Sequence, residues 1–324
     1  MIQLTRTVFL VTVFLIALGQ AAGAEANRNV TLRGGLQNAR LQFEQKKTGR
    51  VAFVGGSITQ MNGYRPMVSD WLRARFPETR FEFINAGISS TDSQTGAFRL
   101  GDHVLANGRI DLLFVEFAVN DDQDAQHSRR GCILGMEGIV RQMRLRQPLC
   151  ELVVTHFVNP PMLKQIQSGE VPPSIEAHED VLRHYNVSSV YLAREVADRI
   201  AAGKLTWAQY GGTHPKPAGN AVAAKLIGEL LDRRWAKPLP VGSRNAKVPA
   251  SNTNAPRSIP TPSGRGLGRG RKPSISNRIS LNGSTQSTLP TRFLLKVRSF
   301  MFPMALPLPA LSRWERVWRN VRVT

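Results

Sequence analysis

Apolar positions along the chain follow two rhythms. Between residues 51 and 192, short and nearly unbroken apolar runs alternate with stretches in which apolar residues recur every three or four positions. The short runs, 51–54, 81–85, 111–117, 152–157 and 189–192, read as strands. Leu112-Leu113-Phe114-Val115 has no polar alternation, as expected of a strand covered on both faces. The longer stretches predict helices over 36–46, 64–75, about 96–107, 130–147, 175–184, 193–202 and 217–235. In the last, Val222, Ala223, Leu226, Ile227, Leu230 and Leu231 form one apolar stripe, and Pro217 suits a first helical turn, where its missing N–H has no partner to lose. Strands alternating with helices predict an α/β domain of three α/β/α layers around a parallel sheet of about five strands.

Neither rhythm continues past Pro240. Pro, Ser, Asn, Gly and Arg dominate the next fifty or so residues, a composition that builds no packed core. Apolar residues return over 293–323, where Pro303, Pro307 and Pro309 break any long helix. The formal charge of +20 follows this division: fifteen Lys and Arg and the single acid Glu315 lie beyond Pro240, leaving +6 for the first 240 residues. The basicity belongs to a tail, 241–324. Its Gly264 to Arg271 run resembles flexible RNA-binding arms but has no interleaved aromatic residue. No nucleic-acid partner is expected; a polyanion-binding protein acting through the tail is the competing reading, and it predicts steeply salt-dependent binding.

At the other end, Arg6, an apolar run from Val8 to Leu18 and the small residues Ala22-Gly23-Ala24 read as an export signal cleaved near Ala24. The run is too short for a bilayer, which needs about 20 apolar residues, so no membrane anchor is expected after cleavage. The folded domain is expected over 25–240, periplasmic or secreted. Cys132 and Cys150 flank a predicted helix that would hold them roughly 27 Å apart, which predicts two unpaired thiols.

Four short motifs fall where this sheet would end. Gly55-Gly56-Ser57-Ile58-Thr59 follows the first strand, Asn85-Ala86-Gly87 closes the second, Ala118-Val119-Asn120-Asp121 follows the most apolar strand, and Gly211-Gly212-Thr213-His214-Pro215 precedes the last helix. Taken singly, each is a common turn: a capping serine, a turn glycine, an Asn closing its own turn, a structural His. Their positions converge, because ligands of open α/β sheets bind beyond the carboxyl ends of the strands. Their chemistry also fits acyl transfer, which needs a nucleophile, a base and fixed donors where the carbonyl oxygen becomes negative.

In this order the motifs look like the four blocks of the SGNH (GDSL-like) hydrolase superfamily, over about residues 36 to 235, and resemble most a group of exported bacterial acylhydrolases. The resemblance implies a flavodoxin-like fold and a serine esterase. It implies Ser57 as nucleophile, His214 as base, and an oxyanion hole of the Ser57 and Gly87 N–H groups with the Asn120 side chain. Two positions depart from the family. Ala118 stands where a Gly is usual, and Gly211 stands where an Asp usually orients the histidine. His214 would then act in a dyad, or be oriented by a backbone carbonyl or by a carboxylate such as Glu116 or Asp121. Tyr64 and Arg65 are placed to line the mouth.

The expected substrate is a small-molecule or carbohydrate ester, and export favours acetylated carbohydrate. The sequence indicates no cofactor and no metal site; His178-Glu179 with His184 lacks the spacing of two ligands one turn apart and reads as a solvated helix face. A binding protein that has lost turnover and an O-acyltransferase using the same dyad are the alternatives within this fold.

Overall fold

The computed structural model describes residues 27–248, all within one compact unit. Its sheet has six strands: β1 (Val30–Thr31), β2 (Thr48–Gly55), β3 (Arg80–Gly87), β4 (Leu112–Glu116), β5 (Glu151–Thr155) and β6 (Ser188–Val190), in spatial order β1-β6-β5-β4-β2-β3. The five strands read from the sequence are β2 to β6, all mutually parallel. The sixth, β1, pairs antiparallel with β6 through Val30 with Val190 and Thr31 with Ser189. Two residues are too few to carry a period.

Side chains alternate across the sheet with the period of two that the pleat imposes. Val51, Phe53, Leu112, Phe114 and Val153 enter one hydrophobic cluster; Ala52, Val54, Leu113, Val115, Leu152 and Val154 enter the other. Each such Val, Leu or Phe contributes roughly 1.5–3 kcal/mol by leaving water. A slip of one residue would exchange the two sets, so the clusters fix the register.

The described helices are α1 (Gln37–Glu44), α2 (Ser57–Gln60), α3 (Tyr64–Arg75), α4 (Ser93–Phe98), α5 (Leu100–His103), α6 (Ala118–Gln123), α7 (Arg129–Arg146), α8 (Pro160–Gln167), α9 (Pro173–His184), α10 (Leu192–Ala201), α11 (Trp207–Tyr210) and α12 (Pro217–Arg234), with one 3-10 turn at Leu105–Asn107. Helices α1, α3, α8, α10 and α12 cover one face with residues such as Phe43, Leu72, Met162, Val196 and Leu230. Helices α5, α7 and α9 cover the other with Leu100, Met136, Val140 and Val181. The layers are α/β/α.

The helix expected near 96–107 is instead three pieces. It breaks at Arg99, whose guanidinium turns inward to donate to Ala86 O at 2.6 Å and Gly55 O at 2.9 Å, the carbonyls at the ends of β3 and β2. Cys132 and Cys150 are both buried and unpaired, as their helical separation requires. Burial pushes both thiols up, Cys132 to about 12, which leaves them unreactive.

Past α12 the mostly exposed chain touches the domain again at Lys237, Ala246 and Val248. Arg40 donates to Lys237 O, Asn38 exchanges two hydrogen bonds with the backbone of Ala246, and the Val248 N–H donates to Pro148 O. The export segment ending near Ala24, the basic run from Gly264 to Arg271 and the apolar stretch 293–323 lie outside the described residues. Among the described residues no helix is long and apolar enough to cross a membrane.

Candidate active site

Strand β2 ends at Gly55, and after Gly56 the chain turns directly into α2, whose first residue is Ser57. As a first helical residue, Ser57 has an N–H with no intrahelical partner. The turn is tight against its neighbour: a Cβ on Gly56 would lie 2.2 Å from Asn120 Oδ1, so only glycine brings the serine this close to that amide. Ser57 is half-buried, and its Oγ lies 2.8 Å from His214 Nε2. The two residues the sequence separates by 157 positions meet at the carboxyl edge of the sheet.

His214 is exposed and stands on a loop between α11 and α12. Gly211 has φ +110, and a Cβ there would lie 2.3 Å from the Lys216 backbone nitrogen. The position where an orienting Asp is usual therefore admits no side chain. The loop is closed by the Lys216 N–H donating to Tyr210 O, and by Asn220 Nδ2 donating to Pro215 O at 2.6 Å and Lys216 O at 3.1 Å. Asn220, a buried amide in the first turn of an apolar helix, holds the loop that carries His214, and sequence reasoning missed it. Its signal in the sequence was a lone amide in the first turn of an otherwise apolar helix; in the fold it packs against Gly63, just before α3. Among the described residues no group bonds His214 Nδ1.

Asn120 lies in α6, directly after β4, and is 2% exposed. Its Nδ2 donates to Asp124 Oδ2 at 2.6 Å, leaving the second N–H uncommitted, while Oδ1 is buried without a partner. Gly87, at the end of β3, has its N–H on Asn85 Oδ1 at 3.0 Å, and Asn85 Nδ2 in turn donates to Gln60 O. All four site residues read from the sequence thus share one edge, with the Gly87 N–H occupied by a neighbouring amide. Thr213, next to the histidine, donates to Gln123 Oε1 at 3.4 Å, which ties the His214 loop to the end of α6.

Neither carboxylate considered for orienting His214 does so. Glu116, the last residue of β4, is fully buried beneath the Ser57 turn and accepts from Thr59 Oγ1 at 3.1 Å; Thr59 also meets the Tyr64 hydroxyl at 3.0 Å. Burial pushes the Glu116 carboxyl up to about 7, against hydrogen bonds from Thr59 and the Gly56 N–H. Asp121 is buried too and accepts from the Ser93 N–H, the Ser93 hydroxyl and His178 Nε2 at 2.7 to 2.8 Å. Tyr64, expected at the mouth, is 1% exposed because it packs on Phe53 and Phe157 and bonds Thr59. Arg65 stays partly exposed, with its guanidinium on Thr59 O and Asn62.

The His178-Glu179 face is not solvated. His178 is fully buried on Asp121, and Glu179 accepts from Arg33 and meets His156 Nε2 at 2.8 Å. Helix α9 packs against α6 and α7, which turns this face inward. Asp92, Asp121 and His127 also approach one another within 4.8 Å. Their oxygens are taken by donors of the α4 first turn, Ser93, Gln94 and Thr95, so they read as the cap of that helix. Although burial opposes it, the Thr95 and His127 hydrogen bonds hold Asp92 down to about 2.

A three-layer α/β/α fold with a serine and a histidine in contact at its carboxyl edge defines a hydrolase-type site. The chain belongs to the GDSL-like lipase/acylhydrolase family, whose model matches residues 53–222. Two solved structures of a two-domain esterase active on acetylated mannans, one co-crystallised with mannopentaose, are similar to it at 26% identity. They superpose with TM-scores of 0.56 and 0.59 over 67% and 72% of this chain. The chain spans about 60% of the length of those structures. No curated protein matches it significantly.

Proposed function

We propose that the protein hydrolyses esters, with acetyl esters of carbohydrates as its substrate class, through an acyl-enzyme on Ser57. The observation that carries this reading is the 2.8 Å contact between Ser57 Oγ and His214 Nε2 on a half-buried turn of an acylhydrolase family member. Ser57 Oγ attacks the ester carbonyl while His214 Nε2 takes its proton. The oxyanion is held by the Ser57 N–H, the free N–H of Asn120 and the Gly87 N–H, which exchanges Asn85 Oδ1 for the new anion. His214 then protonates the leaving alcohol, and a water it activates clears the acyl group.

The base works as a dyad. With Gly211 unable to carry an acid and no group among the described residues bonding His214 Nδ1, turnover is slower than with a carboxylate, whose loss costs up to about 10⁴ in kcat. The substrate class rests on the similarity to an esterase active on acetylated mannans. Residues 6–24, read from the sequence as an export signal, fit an enzyme that works outside the cytoplasm on such material.

The test is hydrolysis of p-nitrophenyl acetate and acetate release from acetylated mannan by the full chain, Ser57→Ala and His214→Ala. Both variants are expected to lose at least about 10³-fold in kcat. Equal release by Ser57→Ala and wild type would overturn the reading.

A further inference from the structure

The carboxylate of Asp124 lies beside the oxyanion hole, where a fixed negative charge opposes the charge that develops on the substrate. It is an exposed residue, one position past the end of α6, yet its Oδ2 makes a 2.6 Å bond to Asn120 Nδ2. An amide side chain can turn end for end, presenting either two donors or one acceptor. Only one of these orientations stabilises an oxyanion. Nothing on the other side of Asn120 makes the choice, because its Oδ1 is buried against Gly56 without a partner. A carboxylate accepts and never donates, so Asp124 selects the orientation with Nδ2 outward and repels the flipped one.

The carboxylate is itself held. Gln123 Nε2 donates to Asp124 Oδ1 at 3.3 Å, while the Gln123 carbonyl accepts from Thr213 beside the catalytic histidine. The end of α6 therefore touches both the oxyanion amide and the loop of the base. We propose that Asp124 is a positioning residue that takes one N–H of the Asn120 amide and so locks the other facing the oxyanion. This rests on the reading of Asn120 as an oxyanion donor given above.

The experiment is a double-mutant cycle in the full chain with p-nitrophenyl acetate: wild type, Asp124→Ala, Asn120→Ala and the pair, with Asp124→Glu as the conservative variant and thermal unfolding of each. Asp124→Ala should lower kcat about ten- to a hundredfold, less than the roughly 10²–10³ of a deleted donor, with KM within about twofold and Tm unchanged. In the Asn120→Ala background the same substitution should change kcat by less than about twofold, and Asp124→Glu should recover part of the wild-type rate.

A kcat unchanged or raised by Asp124→Ala, while Asn120→Ala is impaired, would overturn the proposal and leave the esterase reading standing. An equal loss in both backgrounds would overturn it as well. Should wild type and Ser57→Ala be equally inactive, the esterase reading fails instead. The locked amide is then read by NMR: one Asn120 side-chain amide proton shifted downfield supports the lock when Asp124→Ala removes the shift, and an unshifted pair overturns it.

Discussion

At the scale of single residues, two positions control what the site can do. Gly211 is where a third catalytic group is usual, but its φ of +110 and its contact with the Lys216 nitrogen exclude a side chain. Gly211→Asp is therefore expected to destabilise the protein by about 1–3 kcal/mol in urea unfolding, and to lower activity rather than complete a triad. A gain in kcat would contradict the geometry of the loop. Glu116 is the second position. Its carboxyl holds a proton up to about 7 in the folded protein, against an ordinary 4.5. The folded state thus keeps a proton that the unfolded chain releases. The stability from this group is complete below about pH 4.5 and is lost as pH rises to about 7. Glu116→Gln remains neutral throughout, so the fall in unfolding free energy between pH 4.5 and 7.5 should shrink by up to about 3 kcal/mol. The buried Glu151, also pushed up to about 7, keeps its own share of that slope.

At the scale of elements, Arg99 breaks a predicted helix in order to hold the strand ends that carry Gly55 and Gly87. Arg99→Met should cost about 2–4 kcal/mol in urea unfolding, from the loss of two or three charge-assisted bonds to buried carbonyls. A change below 0.5 kcal/mol would show those carbonyls to be solvated without it. No periodicity announced this break, because a buried arginine reads in sequence as a helix-surface charge. The strands β2 to β6 and the long helices were legible, since apolar runs and three- to four-residue stripes record burial directly. Short elements were not: α6 holds Asn120 in six residues and read as a turn. Helix α8 was hidden by Asn159-Pro160-Pro161, although Asn159 capping Met162 and proline in the first turn are start signals of a helix. That Ser57, Gly87, Asn120 and His214 would gather at one sheet edge was legible because turn chemistry at strand ends is local. Their tuning was not, since the partners of Asp121 and Glu116, 57 residues away in chain, depend on packing.

At the scale of the whole molecule, contacts with the domain continue past Pro240, at Ala246 and Val248. A chain ending at Val248 should match the full chain in Tm and in kcat/KM on p-nitrophenyl acetate. One ending at Pro240 should lose about 2–3 kcal/mol, because Asn38 loses both bonds to Ala246 and Pro148 its donor. Equal stability of the two would show these contacts to be energetically empty. The central claim, that Ser57 is the nucleophile and His214 its base, is tested most directly by covalent trapping. A p-nitrophenyl phosphonate should add one phosphonyl group to the protein. Peptide mass spectrometry should place it on Ser57, with none in Ser57→Ala and labelling slowed by at least about 10²-fold in His214→Ala. Label on any other residue, or equal labelling of Ser57→Ala, would contradict the account.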